Sequence, residues 1–171
     1  RAREVQRLNA VDNSLYALKA NPNREILQKL VDLGFGLECV SPGELERAEI
    51  AGPKRLFTPN YVDASEYQMA FQQGCWVTLD NLEALRLWPD TFRTKQVLLR
   101  LDLGTGSGHH KHVRTAGDSS KFGISSDQWP ELKRLLKDHQ VSVLGLHSHA
   151  GSGITDAEHW VRTAQFLYRA A

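Results

Sequence analysis

A lysine directly after an apolar run, Lys19 in Tyr16-Ala17-Leu18-Lys19-Ala20-Asn21, is the first residue of this chain placed to do chemistry. If that run is a parallel strand, its carboxyl end lies at the edge where α/β folds gather their active sites. Desolvation at such an edge favours a neutral amine, the form that attacks a carbonyl to make a Schiff base. A solvated lysine at a strand end is the plainer alternative. A second constellation is His147-Ser148-His149-Ala150-Gly151-Ser152-Gly153. Extended backbone puts His147 and His149 on one side. The Gly-Ser-Gly that follows offers N–H groups, a hydroxyl and the dipole of an opening helix to a phosphate. An His-x-His pair also suits a metal ion, so residue types leave phosphate and metal both open. The plainer reading is a turn with satisfied histidines.

Arg100 lies inside an apolar run near its carboxyl end. A charge there calls for an anion or a carboxylate, and Glu38, in an earlier run, is the partner the pattern offers. The loop Gly104-Thr105-Gly106-Ser107-Gly108-His109-His110-Lys111-His112 carries less information. Its glycines follow a strand, but no helix opens behind them, so it lacks the context of a dinucleotide fingerprint. Its three histidines suit a metal, although a solvated loop is the simpler reading. Cys39 and Cys75 are far apart and form no Cys-x-x-Cys, so neither a zinc site nor a disulfide framework is legible. A reducing cytoplasm is the expected setting.

These residues need elements to hold them, and the chain alternates short apolar runs with amphipathic stretches. Strands are predicted over 14–18, 36–40, 55–58, 76–79, 96–101 and 141–147. Helices are predicted over 23–33, from Ser41-Pro42-Gly43-Glu44 to 51, from Asp63 with Glu66 to the turn before Gly74, and from Asp80 with Glu83 to Pro89. Two more run near 128–137 and from Thr155 with Glu158 to the end of the chain. Caps, first-turn prolines and glycine stops set these limits. Six strand–helix units point to an α/β fold with a parallel sheet and crossover helices. The carboxyl ends of the six strands then carry Lys19, Ser41, Asn60, Asp80, Asp102 and His147 with His149. A TIM (β/α)8 barrel needs eight units and ~250 residues. Residues 1–171 therefore read as one incomplete barrel domain of about six βα units, a truncated fragment without a starting Met.

The balance of charge is nearly even, with 21 Lys plus Arg against 20 Asp plus Glu and a net charge of +1. That argues against nucleic acid as a main partner. No window approaches the ~20 apolar residues of a membrane span, and no signal-peptide pattern opens the chain.

In order and spacing, the motifs resemble those of the pyridoxal-phosphate decarboxylases on the alanine-racemase-like (fold type III) barrel. Tyr16 to Asn21 matches the family's lysine motif, and Ser41-Pro42-Gly43-Glu44 resembles its Ser-Gly-Gly-Glu. The stretch ending in Ser120-Lys121-Phe122-Gly123 resembles its Ser-Lys-Phe-Gly, and Gly145 to Gly153 matches its histidine–glycine motif. The resemblance implies that Lys19 binds pyridoxal 5'-phosphate covalently and that His149 stacks on the pyridine ring. By the same resemblance Gly151, Ser152 and Gly153 hold the phosphate, Arg100 lies near the ring, and Lys121 faces the partner of a homodimer. The implied activity is decarboxylation of an amino-acid substrate, meso-2,6-diaminopimelate, to L-lysine and CO2. Sibling enzymes act on ornithine, arginine or carboxynorspermidine. Two positions depart from the pattern: Glu38 stands where the family has Asp, and Pro42 replaces a glycine. The family's second phosphate loop, its acid for the pyridinium nitrogen, its catalytic Cys and its β-domain come later in its sequence. The polypeptide alone is therefore expected to be inactive. A barrel metal hydrolase using His147, His149 and a carboxylated Lys19 is the rival from another class, and a non-catalytic pyridoxal-phosphate barrel is a second.

Overall fold

A computed structural model describes residues 1–8, 10–50, 54–104 and 122–171 of the chain. His109, His110, His112 and Lys121 lie outside the described residues. The chain forms two compact units, Arg1–Val77 and Thr78–Ala171, with the division falling inside one strand.

The first unit opens with a short helix, α1 (Ala2–Val5), which the sequence pattern does not announce. It continues through β1 (Leu15–Ala17), a 3-10 turn (Leu18–Ala20), α2 (Arg24–Asp32), β2 (Gly36–Cys39) and α3 (Pro42–Arg47). β3 (Arg55–Phe57), α4 (Ala64–Gln72) and the start of β4 (Trp76–Leu79) complete it. β1 pairs with β2, β2 with β3 and β3 with β4, all parallel. Cys39, Phe57 and Val77 lie level in adjacent strands, and all three are fully buried. Together with Leu27, Leu45 and Tyr67 they form the core on the helix-covered face, where Phe57 and Tyr67 meet edge to face at 6.4 Å. The opposite face carries Ala17, Glu38, Leu56 and Trp76 in one row, all half-buried.

Local chemistry explains the helix starts. The Asn23 side chain accepts from the Glu25 and Ile26 N–H groups and so starts α2. Ser41 caps α3 with Pro42 in its first turn, and Asp63 with Glu66 makes a complete capping box for α4. α3 ends at Arg47, four residues short of the predicted 51, because Ala48 closes the turn on Glu44 and Leu45.

The second unit takes up β4 at Thr78 and continues with α5 (Glu83–Leu87), α6 (Pro89–Phe92) and β5 (Gln96–Arg100). After the undescribed stretch come a 3-10 turn (Ser126–Gln128), α7 (Trp129–Asp138), β6 (Ser142–His147) and α8 (Ala157–Ala170). β4 pairs with β5 and β5 with β6, again parallel. The β5–β6 register shifts between Val97 and Leu98, which carries Arg100 level with His147. The core holds Leu79, Leu85, Phe92, Val97, Leu99 and Ile124. Strand order thus follows chain order within each unit, which is the βα grammar read from the sequence.

Three further helix limits change. Pro89, expected to stop a helix, stands in the first turn of a new one, α6, where its missing N–H is no loss. α8 is capped by Asp156 rather than Thr155, through the Glu158 N–H. Asp80 does not cap α5, whose flanking residue is Leu82 without a side-chain cap. Among the described residues no helix is long and apolar enough to cross a membrane.

Candidate functional site

In the first unit the amine-bearing residue stands where the apolar run predicts it. β1 ends at Ala17, and the chain turns at once into the 3-10 turn that carries Lys19. Leu18 is fully buried and pins this turn to the core, so Lys19 points away from the core and is exposed. The expected desolvation of the lysine is therefore not supplied by this unit's own side chains. Asn21 accepts from the Asn23 N–H, and Asn23 in turn caps α2, which fixes the exit of the turn. On β2 the Glu38 carboxylate accepts a hydrogen bond from the Thr58 hydroxyl just beyond β3. Thr58 is buried and Glu38 half-buried, so this polar pair lies along the carboxyl ends of its strands. At the end of β2 the Ser41 side chain accepts from the Glu44 N–H, and Glu44 accepts from the Val40 N–H at 2.8 Å.

In the second unit Arg100 has an anion partner in Asp80, whereas the Glu38 that the pattern offered belongs to the first unit. Arg100 Nη1 lies 2.8 Å from Asp80 Oδ1, with the two side chains only 10% and 2% exposed. Register explains the choice. Thr78 is level with Leu98, so two residues further on Asp80 stands beside Arg100 on the same sheet face. The same Asp80 oxygen accepts from the Gly123 N–H at 3.2 Å, and the Phe122 ring lies 5.1 Å from the Arg100 guanidinium. Burial pushes the Asp80 carboxyl above its ordinary range, while Arg100 and the Gly123 N–H pull it back.

The histidine–glycine segment begins where β6 ends. The Ser148 hydroxyl donates to the Leu101 carbonyl at 3.1 Å, and the Leu101 N–H donates to the His147 carbonyl at 2.9 Å. These bonds fasten the segment to the end of β5. His147 and His149 are half-buried. The Ala150 carbonyl meets His159 Nε2 of α8 at 3.0 Å, which ties the loop to the helix it precedes. Gly151 has φ +136° and Gly153 φ +67°, conformations that residues with a Cβ rarely adopt. Between them Ser152 is exposed, with its hydroxyl open to a ligand. α8 starts only at Ala157, and Asp156 already accepts from its Glu158 N–H. An anion here would thus be held by the loop from Gly151 to Gly153 more than by the first amides of the helix. That donor set, with a hydroxyl and left-handed glycines, fits a phosphate group.

Sequence reading thus placed Lys19, Asp80, Arg100, His149 and Gly151 to Gly153 at or near strand ends, but it gave Asp80 no partner and did not single out Thr58 or Ile124. The signal for Asp80 was present, since it ends an apolar run as Lys19 does, but the Asp-x-x-Glu spacing with Glu83 also imitates a helix cap.

Over residues 1–170 the chain matches the model of the family described as pyridoxal-dependent decarboxylase, pyridoxal binding domain. It is similar to the diaminopimelate decarboxylase of Deinococcus radiodurans, with 40% identity over 158 residues covering 90% of this chain and 41% of that protein. To the diaminopimelate decarboxylase of Methanothermobacter thermautotrophicus it is 36% identical over 156 residues, covering 89% of this chain and 36% of the relative. The chain therefore spans about two-fifths of the length of these curated relatives. The fold is similar to that of diaminopimelate decarboxylase from Helicobacter pylori complexed with L-lysine, with a TM-score of 0.86 at 24% identity. That match covers 98% of this chain and 45% of the solved one.

Proposed function

The chain belongs to the family of the pyridoxal-dependent decarboxylase pyridoxal binding domain, and on that premise we propose that it binds pyridoxal 5'-phosphate for the decarboxylation of an amino acid. The substrate assigned is meso-2,6-diaminopimelate and the product L-lysine, a choice supported by the 40% and 36% identity to enzymes of that name. The observation that carries the reading is Lys19, an exposed primary amine on a turn that follows the first strand directly and is anchored by buried Leu18.

Pyridoxal phosphate, when bound, supplies an electron sink for the pair left behind as CO2 departs. The chain's own residues bind and orient. Lys19 Nζ supplies the amine that holds the cofactor by its aldehyde, and its backbone is kept in place by Leu18 below and Asn21 beyond. In the second unit His149 offers an imidazole face for the pyridine ring. Ser152, between Gly151 and Gly153, offers a hydroxyl, and the loop offers backbone N–H groups, for the phosphate. Arg100, paired with buried Asp80, offers a guanidinium charge. A small amino-acid substrate and a homodimeric protein belong to the same proposal.

Reduction with borohydride in the presence of pyridoxal phosphate, followed by peptide mapping, tests it. A reduced adduct on Lys19 is expected, and Lys19→Ala should abolish the adduct and, in the full-length parent, CO2 release from diaminopimelate. An adduct confined to another lysine, or none, overturns the assignment. Release of CO2 from ornithine or arginine instead would keep the cofactor and change the substrate.

A further inference from the structure

Asp80 is 2% exposed at the end of β4, a burial that a carboxylate tolerates only with close partners. Its Oδ1 has two, Arg100 Nη1 and the Gly123 N–H, at 2.8 and 3.2 Å. Both partners are fixed from other sides as well. The segment 122–124 returns to β5 through the Ile124 N–H on the Arg100 carbonyl at 2.8 Å and the Asp102 N–H on the Ile124 carbonyl at 3.0 Å. It lays the Phe122 ring over the guanidinium. Gly123 has φ +84°, and a Cβ there would lie 2.9 Å from Asp102 N, so the corner is built around the absence of a side chain. The other Asp80 oxygen, Oδ2, is buried and has no hydrogen-bond partner among the described residues, as is Thr78 Oγ1 two residues earlier on the same face. A carboxylate kept half-satisfied in a buried row is a poor way to stabilise a fold. It makes sense where the placement of its two partners matters.

We propose that Asp80 is the positioning residue of the cofactor site: through one oxygen it holds the Arg100 guanidinium at the end of β5 and fastens the 122–124 corner beside it. The inference rests on the assignment of Arg100 to the cofactor. It places Asp80 behind Arg100 and out of contact with the reacting atoms.

The test titrates the apoprotein with pyridoxal phosphate, reading Kd from visible absorption. Asp80→Asn keeps an acceptor for the Gly123 N–H and removes the charge, so it should raise Kd about tenfold through the lost charge-assisted bond. In an Arg100→Gln background the same substitution should change Kd less than about twofold, because no guanidinium is left to hold and Asn keeps the acceptor for the Gly123 N–H. Amide exchange at Gly123 and Ile124 should stay near wild type in Asp80→Asn and speed up at least about tenfold in Asp80→Ala. An equal loss of affinity in both backgrounds overturns the proposal. So do wild-type Kd and exchange rates in the Asp80 variants. Wild-type protein that binds no pyridoxal phosphate at all overturns the cofactor reading instead, and is told apart by that first titration.

Discussion

Burial acts on the ionisable side chains of this chain in two directions, and each has a measurable consequence. Arg100 is held inside by Asp80, so deleting the carboxylate removes a buried charge partner of the guanidinium. Asp80→Ala should lower unfolding free energy by about 3–5 kcal/mol in urea denaturation, and a loss below about 1 kcal/mol would show that water already reaches the guanidinium. Cys39, by contrast, is fully buried beside carboxylates. Desolvation first, then Glu44, Cys75 and Glu38, push its thiol up to about 12. A thiol raised on folding keeps its proton in the native state while the unfolded chain loses it. Its contribution to stability is therefore full below the ordinary value of 9.0 and is lost as pH climbs towards about 12. Native Cys39 should resist alkylation at mildly alkaline pH, and rapid labelling without unfolding would contradict its placement. His149→Ala should weaken pyridoxal phosphate binding by about 0.5–1.5 kcal/mol, the worth of an aromatic contact, and unchanged affinity would leave His149 a structural residue. At this scale the sequence marked which side chains are unusual but not whom they meet. The partner of Arg100 depends on a β4–β5 register that no local pattern encodes.

Elements were more legible than contacts, because each one is written in local chemistry. Ser41-Pro42-Gly43-Glu44 reads as a helix start, and the structure shows the Ser41 Oγ accepting from the Glu44 N–H while Glu44 Oε2 takes the Val40 N–H. Ser41→Ala should cost about 1 kcal/mol in thermal or urea unfolding, and no change would mean that Pro42 alone organises the turn. Asp63 shows the same logic with a pH dependence. The Ser65 side chain first, then the Glu66 N–H, hold its carboxyl below the usual range. The cap is therefore complete above the ordinary Asp value of about 3.9 and is lost as pH falls through the lower folded value. Protection of the Ser65 and Glu66 amides, taken relative to their intrinsic exchange rate at each pH, should fall on acidification in that window but stay flat above it. The misread elements share a cause. Trp88-Pro89 can end one helix or begin the next, and Asp80 can cap a helix or face the sheet. Only tertiary context, here a second short helix and a buried arginine, decides between them.

At the scale of the whole chain the parallel βα alternation was readable throughout, whereas which side chains carry the exposed apolar surface was not. A run such as Val141-Ser142-Val143-Leu144-Gly145-Leu146 reads as a strand buried on both faces, the usual state in a parallel sheet. In the second unit β6 instead has β5 as its one neighbouring strand among the described residues. Val143 and Leu144 are 45% and 47% exposed, while Trp160, Val161 and Tyr168 on α8 are 53%, 52% and 85% exposed. No other large apolar side chain of that unit is so exposed among the described residues except Leu87. A strand with a free ladder edge and apolar residues on both faces is a template for further pairing. The 171-residue polypeptide should therefore bind a hydrophobic dye and associate as its concentration rises, with Leu144→Lys and Trp160→Ser together reducing both effects. The pair of substitutions removes surface rather than core, so folding measured by far-UV circular dichroism should persist. A monodisperse monomer that binds no dye would mean that β6 and α8 cover one another in solution. Dye binding untouched by the substitutions would move the sticky surface to the first unit, where Val5, Leu8 and Val11 are also exposed.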